Sequence, residues 1–144
     1  MLRSRMKIVL DTGIFIAALI TTNTPPHIIY QAWRRKSFEL ITSEWQLDEL
    51  KRVSHYPKLR PYFSPSEAGK LVNELKNQTT IIPETKLPTL EISPDPNDNP
   101  ILAIALASQA HFLISGDKKD LLSLKKIGIT PIIPASQFVS SFLH

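Results

Sequence analysis

The sequence contains no cysteine, which excludes a disulfide framework and any thiolate metal site. Glycine is scarce: Gly13, Gly69, Gly116 and Gly128 are the only ones. No G-x-G-x-x-G turn and no phosphate-cradling P-loop can be built from that spacing, so nucleotide-cofactor readings lose their main support. No serine sits in G-x-S-x-G, the strained turn of a nucleophile-elbow hydrolase. His27, His55, His111 and His144 lack zinc-ligand spacing and read as surface or edge residues. The longest apolar run, Ile14 to Ile20, is far short of the roughly 20 residues that span a bilayer. Arg3, Arg5 and Lys7 ahead of an apolar run have the outline of a signal peptide, but Asp11 breaks the run and no A-x-A site follows. The expectation is a cytoplasmic protein without membrane contact, with Met6 as an alternative start to Met1.

The composition is that of an ordinary globular protein, 42% hydrophobic and 21% charged, and 144 residues suffice for one domain, 1–144, with a real core. A net charge of +4 is compatible with a polyanionic partner but does not identify one.

Short apolar runs alternate with helical patterns. Ile8-Val9-Leu10, Phe38 to Thr42, Thr79 to Ile82, Phe112 to Ile114 and Thr130 to Ile133 read as five buried strands. Between them, Ile14 to Ile20 reads as a short helix. Thr24-Pro25-Pro26 starts a second, which ends at Arg34-Arg35-Lys36. Ser43 with Gln46 and Ser64 with Glu67 have capping-box spacing for two more. The Ala-rich stretch Ile101 to Ala110, Asp120 to Lys126 and Ala135 to Leu143 complete the set, and Pro83 to Asn97 is a long proline-rich loop. The alternation predicts an α/β domain around a mainly parallel sheet.

With thiols, histidines and glycine loops set aside, carboxylates carry the chemistry. Asp11 follows the first strand and Asp117 the fourth, at the strand ends where open parallel sheets bind ligands. Asp98 precedes the Ala-rich helix, whose N-terminus lowers the cost of an ionised carboxylate. Each of these, taken singly, reads equally well as a cap or turn residue; Asp95 could do a secondary job but reads first as a turn acid. Gathered in one cleft they would repel one another unless a divalent cation sat among them. Oxygen-only ligands favour Mg²⁺ or Mn²⁺ over Zn²⁺, and such an ion suits phosphodiester hydrolysis without a covalent protein intermediate. Lys118, Lys119 and Arg34-Arg35-Lys36 are candidate phosphate contacts or, equally, solvated surface charge.

Ile8-Val9-Leu10-Asp11-Thr12, Ser43 through Glu49-Leu50, Asp95-Pro96-Asn97-Asp98-Asn99-Pro100-Ile101-Leu102, Ser115-Gly116-Asp117-Lys118-Lys119-Asp120-Leu121-Leu122 and Ile132 to Phe138 stand in an order that resembles the PIN-domain family, especially its VapC-like toxin branch. The resemblance implies a three-layer α/β/α fold and Mg²⁺- or Mn²⁺-dependent cleavage of single-stranded RNA. It implies that Asp11, Glu49, Asp98 and Asp117 are catalytic and metal-binding, with the Thr12 and Ser115 hydroxyls supporting them. A cognate antitoxin and a homodimer are the partners it implies. Gly13 departs from the family pattern, which usually has Asn there. Helical geometry separates two adjacent acids: Glu49 falls in line with Trp45 and Val53 beside the buried stripe, whereas Asp48 faces solvent with Glu44 and Arg52. Two rivals are a PIN-like module without catalysis and a receiver-type phosphoacceptor. The second would want paired acids after its first strand, where Asp11 stands alone.

Overall fold

Lys7–Leu10 forms the strand at the middle of the sheet, β1, whose last three residues are apolar and buried. It pairs in parallel with β2 (Glu39–Ser43) on one side and β4 (Phe112–Ile114) on the other. β3 (Thr80–Ile82) extends the sheet beyond β2, and β6 (Thr130–Ile133) extends it beyond β4, both in parallel. A two-residue strand, β5 (Lys126–Ile127), closes that edge antiparallel to β6, giving the order β3-β2-β1-β4-β6-β5. The structure is a computed structural model and describes residues 5–117 and 119–143, so Lys118 lies outside the described residues.

Parallel strands need crossovers that cover both faces. The helices are α1 (Thr12–Ile20), α2 (Pro25–Arg34), α3 (Glu44–Val53), α4 (Pro65–Gln78), α5 (Asp98–Ser108), α6 (Leu121–Leu124) and α7 (Ala135–Phe142). Alternate strand residues point to opposite faces. Ile8, Leu10, Leu40, Ile114 and Ile133 therefore pack with Phe15, Ile29, Trp33, Leu50, Leu75 and Phe138 from α1–α4 and α7. Val9, Ile41, Leu113 and Ile132 pack on the other face with Ile101, Leu102, Ile104, Ala105 and Leu121 from α5 and α6. The result is a three-layer α/β/α arrangement. None of the helices among the described residues is long and apolar enough to cross a membrane.

Three local departures from the sequence reading have physical causes. The sheet has six strands rather than five, because Lys126–Ile127 leaves the short helix and pairs with Thr130 and Pro131. The Ala-rich helix starts at Asp98, three residues before its apolar run. The Thr24 side chain makes no cap bond to its own helix and instead shares a 2.7 Å hydrogen bond with the Thr21 hydroxyl.

The order of connections fixes where a ligand goes. The chain builds β1, β2 and β3 outwards in one direction, then returns to place β4 and β6 on the other side of β1. Between β1 and β4 the winding reverses, and the loops leaving their carboxyl ends diverge to open a crevice.

Candidate metal centre

The β1/β4 register sets Leu10 beside Ile114, so the next residues, Asp11 and Ser115, leave the sheet side by side. The Asp11 N–H still donates to the Ile114 carbonyl at 3.0 Å. Asp11 then caps α1, its Oδ1 accepting from the Ile14 N–H at 3.0 Å. Its Oδ2 accepts from the Ser115 hydroxyl. That hydroxyl in turn accepts from the Asp117 N–H at 2.9 Å, so one serine ties the acids of the two strand ends together. Burial raises the Asp11 pKa; hydrogen bonds from Ser115, Ile14 and Gly116 oppose the rise, and the charge of Asp117 adds to it.

Glu49 arrives from α3. Ser43 caps that helix by accepting from the Gln46 N–H at 3.1 Å. The Gln46 side chain does not reach back to complete a capping box. It is buried, donating to the Leu10 carbonyl at 2.7 Å and accepting from the Thr42 hydroxyl at 2.6 Å. The first turn of α3 is thereby fastened to the end of β1. Glu49, one turn further on, accepts from the Thr12 hydroxyl at 3.2 Å. Burial raises the Glu49 pKa first of all, the Thr12 bond and Arg52 pull it down, and the charges of Asp11 and Asp95 push it up. Asp48 beside it is exposed.

Asp98, in the first turn of α5, accepts from the Ser93 hydroxyl at 3.1 Å. Ser93 is held in turn by Asn99, whose Oδ1 accepts from the N–H groups of Ile92 and Ser93 at 3.0 and 2.8 Å. The Asp98 pKa is pushed up to about 6 from 3.8, chiefly by burial and then by the charges of Asp95 and Asp117 over the opposing Ser93 bond. Its carboxyl lies within hydrogen-bonding range of that of Asp117. Asp117 is also a turn residue, its Oδ1 accepting from the N–H groups of Lys119 and Asp120 at 3.2 and 3.1 Å.

All four acids singled out by the sequence line one cleft of about 690 Å³, together with Asp95. No Lys, Arg or His is among its described lining residues. Asp95, Asp98 and Asp120 each offer an oxygen within 4.8 Å of the others, spacing suited to one cation. Asp95 does take the expected turn role, accepting from the Asn97 N–H at 2.9 Å, but it also faces the cleft. The sequence does not single out Asp120 and gives Asp95 at most a secondary role, because both carry the signature of any turn or helix-start aspartate; only their closeness to Asp98 marks them. Ser93 had no signal beyond lying in the Pro-rich loop, and Asn99 none beyond following Asp98 at the start of α5. The oxygen-only set fits a hard divalent cation.

The basic clusters stand elsewhere. α2 begins at Pro25 and Pro26 on the cleft wall and runs away from it, so Arg34, Arg35 and Lys36 end up about 15 Å off, beside the amino ends of the strands. None of the three is among the residues that line the cleft. Lys119 is exposed on the turn after Asp117. Gly13 is exposed, and a Cβ there would stand 3.3 Å from Asp11 Oδ1, so a side chain would press on that carboxylate.

An uncharacterised protein of Methanocaldococcus jannaschii is 32% identical over 123 residues, which cover 84% of this chain and 76% of that protein. The fold is similar to a crystal structure of VapBC2 from Rickettsia felis bound to a DNA fragment from their promoter. That similarity has a TM-score of 0.56 at 19% identity over 90% of this chain and 98% of the other. The family profile described as PIN domain matches residues 7–119, from the start of β1 through the turn after Asp117, and so takes in the whole span that carries the four acids. On that match the chain belongs to the PIN-domain family.

Proposed function

We propose that this protein is a divalent-metal-dependent endoribonuclease that cuts single-stranded RNA and acts as the toxin of a toxin–antitoxin pair. The observation that carries the reading is a cleft with five carboxylates and no cation among its described lining residues. Without a counter-ion such a group is costly: burial first, and then the neighbouring carboxylate charges, raise the pKa values of Asp11, Glu49 and Asp98. Asp11, Asp98 and Asp117 would hold the principal Mg²⁺ or Mn²⁺. Glu49 would serve a second ion or the attacking water, and Asp95 and Asp120 would complete the oxygen set. When bound, the metal supplies Lewis-acid polarisation of a phosphodiester and a water of lowered pKa.

The chain's own part is orientation. Ser115 fixes Asp11, Thr12 fixes Glu49 and Ser93 fixes Asp98, each through its hydroxyl. The Ser115 and Thr12 hydroxyls are thereby committed to carboxylates, which supports water rather than a side chain as the nucleophile. The likeness to a solved VapBC2 complex supports an antitoxin partner for this chain, and a homodimer is proposed with it.

The test is cleavage of labelled single-stranded RNA by purified protein with Mg²⁺ or Mn²⁺, with and without chelator. Cleavage is expected to stop in excess EDTA, and an Asp11→Asn preparation excludes a contaminating nuclease. Cleavage undiminished by chelator would sink the metal mechanism. No cleavage with either ion would leave a PIN-like module without catalysis.

A further inference from the structure

The acidic cleft repels the polyanion it is proposed to cut, so something beside it must attract RNA. Residues 50–66 contain Lys51, Arg52, Lys58 and Arg60, together with His55, and no acid. This stretch covers the end of α3, a short 3₁₀ turn at Pro57–Leu59 and the approach to α4. It is anchored from beneath: Leu59 and Phe63 are buried with Ala68 against Ile16, Leu19, Ile20 and Val53. Arg60 donates to the Ser54 carbonyl and lies over the Phe63 ring, pinning the turn to the end of α3. The outer face is left to Tyr56 and Tyr62, which are 37% and 58% exposed.

Around Tyr56 the cations are held by the ring rather than by carboxylates. Arg52 Nη1 donates to the Tyr56 hydroxyl at 2.6 Å, and Arg52 and Lys58 each stand 6.0 Å from the ring centroid. Among the described residues the only ion pair is Arg34 with Glu74, so neither cation is in contact with an acid, although Arg52 acts on Glu49 through its charge. The strap is also continuous with the cleft. Arg52 follows Glu49 by three residues on α3, about 4.5 Å along the axis, close enough for its charge to act on the Glu49 carboxyl.

Resting on the ribonuclease reading above, we propose that the strap from Arg52 to Tyr62 is the platform that holds single-stranded RNA beside the metal cleft, with Arg52 and Lys58 on phosphates and Tyr56 stacking on a base. Exposed aromatics interleaved with unpaired cations are the two components that single-strand binding needs: stacking that tolerates any base and charge that follows the backbone. A duplex keeps its bases stacked internally and offers Tyr56 nothing, which gives the cleft its preference for unpaired strands.

The experiment measures anisotropy of a labelled, unstructured single-stranded RNA in EDTA, where nothing is cut, across a salt series. The proteins are the wild type, Arg52→Ala with Lys58→Ala, Tyr56→Leu, and Arg35→Ala with Lys36→Ala as an equal charge loss at the far end of the sheet. Circular dichroism checks each fold, and Arg52→Lys with Lys58→Arg serves as the charge-preserving rescue. The strap double variant is expected to lose about tenfold in affinity and to flatten the log–log salt slope by about 1.4, two phosphate contacts at roughly 0.7 each. Tyr56→Leu is expected to weaken binding about fivefold with the slope unchanged. The far-end variant should bind like the wild type, and so should the rescue. Equal losses in the strap and far-end variants would overturn the platform, as would a wild type that binds no RNA. Parallel cleavage assays with Mn²⁺ keep the two readings apart. A wild type that cuts RNA while strap variants bind normally overturns the strap and leaves the nuclease standing. A wild type that binds through the strap yet cuts nothing does the reverse.

Discussion

The two ends of the sheet are built from similar residues and treat charge in opposite ways. At the amino end, polar and charged groups such as Arg34, Glu39 and His111 are partnered, while Arg35 and Lys36 face solvent. Arg34 pairs with Glu74 at 3.5 Å, Glu39 accepts from the Thr80 hydroxyl at 2.7 Å, and His111 Nδ1 accepts from the Lys7 N–H at 2.9 Å. At the carboxyl end, the carboxylates of Asp11, Glu49, Asp98 and Asp117 meet neutral donors and one another, and no cation lines their cleft among the described residues. A fold gains nothing from leaving like charges together, so the unpartnered end is where function has been placed at the expense of stability.

The largest expected effect breaks the contrast at its centre. Asp98→Asn and Asp117→Asn should each lower metal-dependent RNA cleavage by at least about 100-fold, on the scale seen when a group that stabilises the transition state is removed. The fold should survive, because Asn at 117 keeps an Oδ1 to accept from Lys119 and Asp120, and Asn at 98 can still accept from Ser93. Near wild-type turnover in either variant, measured at saturating Mn²⁺, would remove that residue from the ligand set. Next in size is the split between two neighbours on α3. Glu49→Gln should lose about tenfold or more in cleavage, and Asp48→Asn should stay close to wild type. Glu49 is half-buried on the cleft and bonded to Thr12, whereas Asp48 is exposed and outside it. Equal activities would reduce Glu49 to a structural residue and leave a site of aspartates alone.

How much of this was legible in the sequence depends on the range of the interaction concerned. Ile8-Val9-Leu10 followed by Asp11, and Phe112-Leu113-Ile114 followed by Ser115-Gly116-Asp117, announce strands and their ends through local pattern alone. Their adjacency follows only from the winding of the sheet. β5 escaped because two residues have no periodicity, and its pairing with β6 is a tertiary event. Gln46 was read as a capping-box partner from its spacing to Ser43, yet its amide satisfies the Leu10 carbonyl, 36 residues away. Asp95 and Asp120 are locally indistinguishable from turn acids, and Asp95 is one as well. Arg34-Arg35-Lys36 reads equally as phosphate contacts or as solvated charge, because composition says nothing about which end of the sheet a helix terminus reaches.

A smaller effect concerns proton linkage in the metal-free protein. Asp98 has its pKa raised to about 6, and those of Asp11 and Glu49 are raised too. A carboxyl that binds its proton more tightly when folded favours the folded state as pH falls. Stability should therefore drop as pH rises from near 4 through 6, and remain lower at neutral pH. Asp98 is only partly buried, so solvent screening limits the effect. Asp98→Asn should flatten the profile and raise Tm at pH 7 in EDTA by roughly 2–4 °C. Metal and proton compete for these oxygens, so the rise in Tm caused by Mn²⁺ should be larger at pH 7.5 than at pH 5.5. A wild-type Tm that climbs with pH in EDTA would contradict the raised pKa values of these carboxyls.

The smallest effect is expected at the amino end, and it is the control on the whole contrast. Glu74 Oε2 accepts from the Tyr30 hydroxyl at 3.1 Å and stands 3.5 Å from Arg34 Nε. Burial and the Glu74 charge together push the Tyr30 pKa up to about 12, so its proton stays on and its hydroxyl remains a donor at any working pH. Glu74→Gln keeps an oxygen for Tyr30 and removes only the charge. Arg34 is more than half exposed, and a pair so open to solvent is worth less than about 1 kcal/mol. Tyr30→Phe removes the hydrogen bond and should cost about 1 kcal/mol, because the carboxylate it leaves can still turn to water and Arg34. Neither variant should change cleavage per folded molecule or the Tm rise caused by Mn²⁺, since both lie at the sheet end that α2 reaches only after leaving the cleft. Denaturant titration and metal-dependent cleavage of the two variants measure this together. A folded Glu74→Gln protein that had lost activity to the degree expected of Asp98→Asn would mean that charge at the two ends is coupled, and the division between a partnered end and a working end would fail.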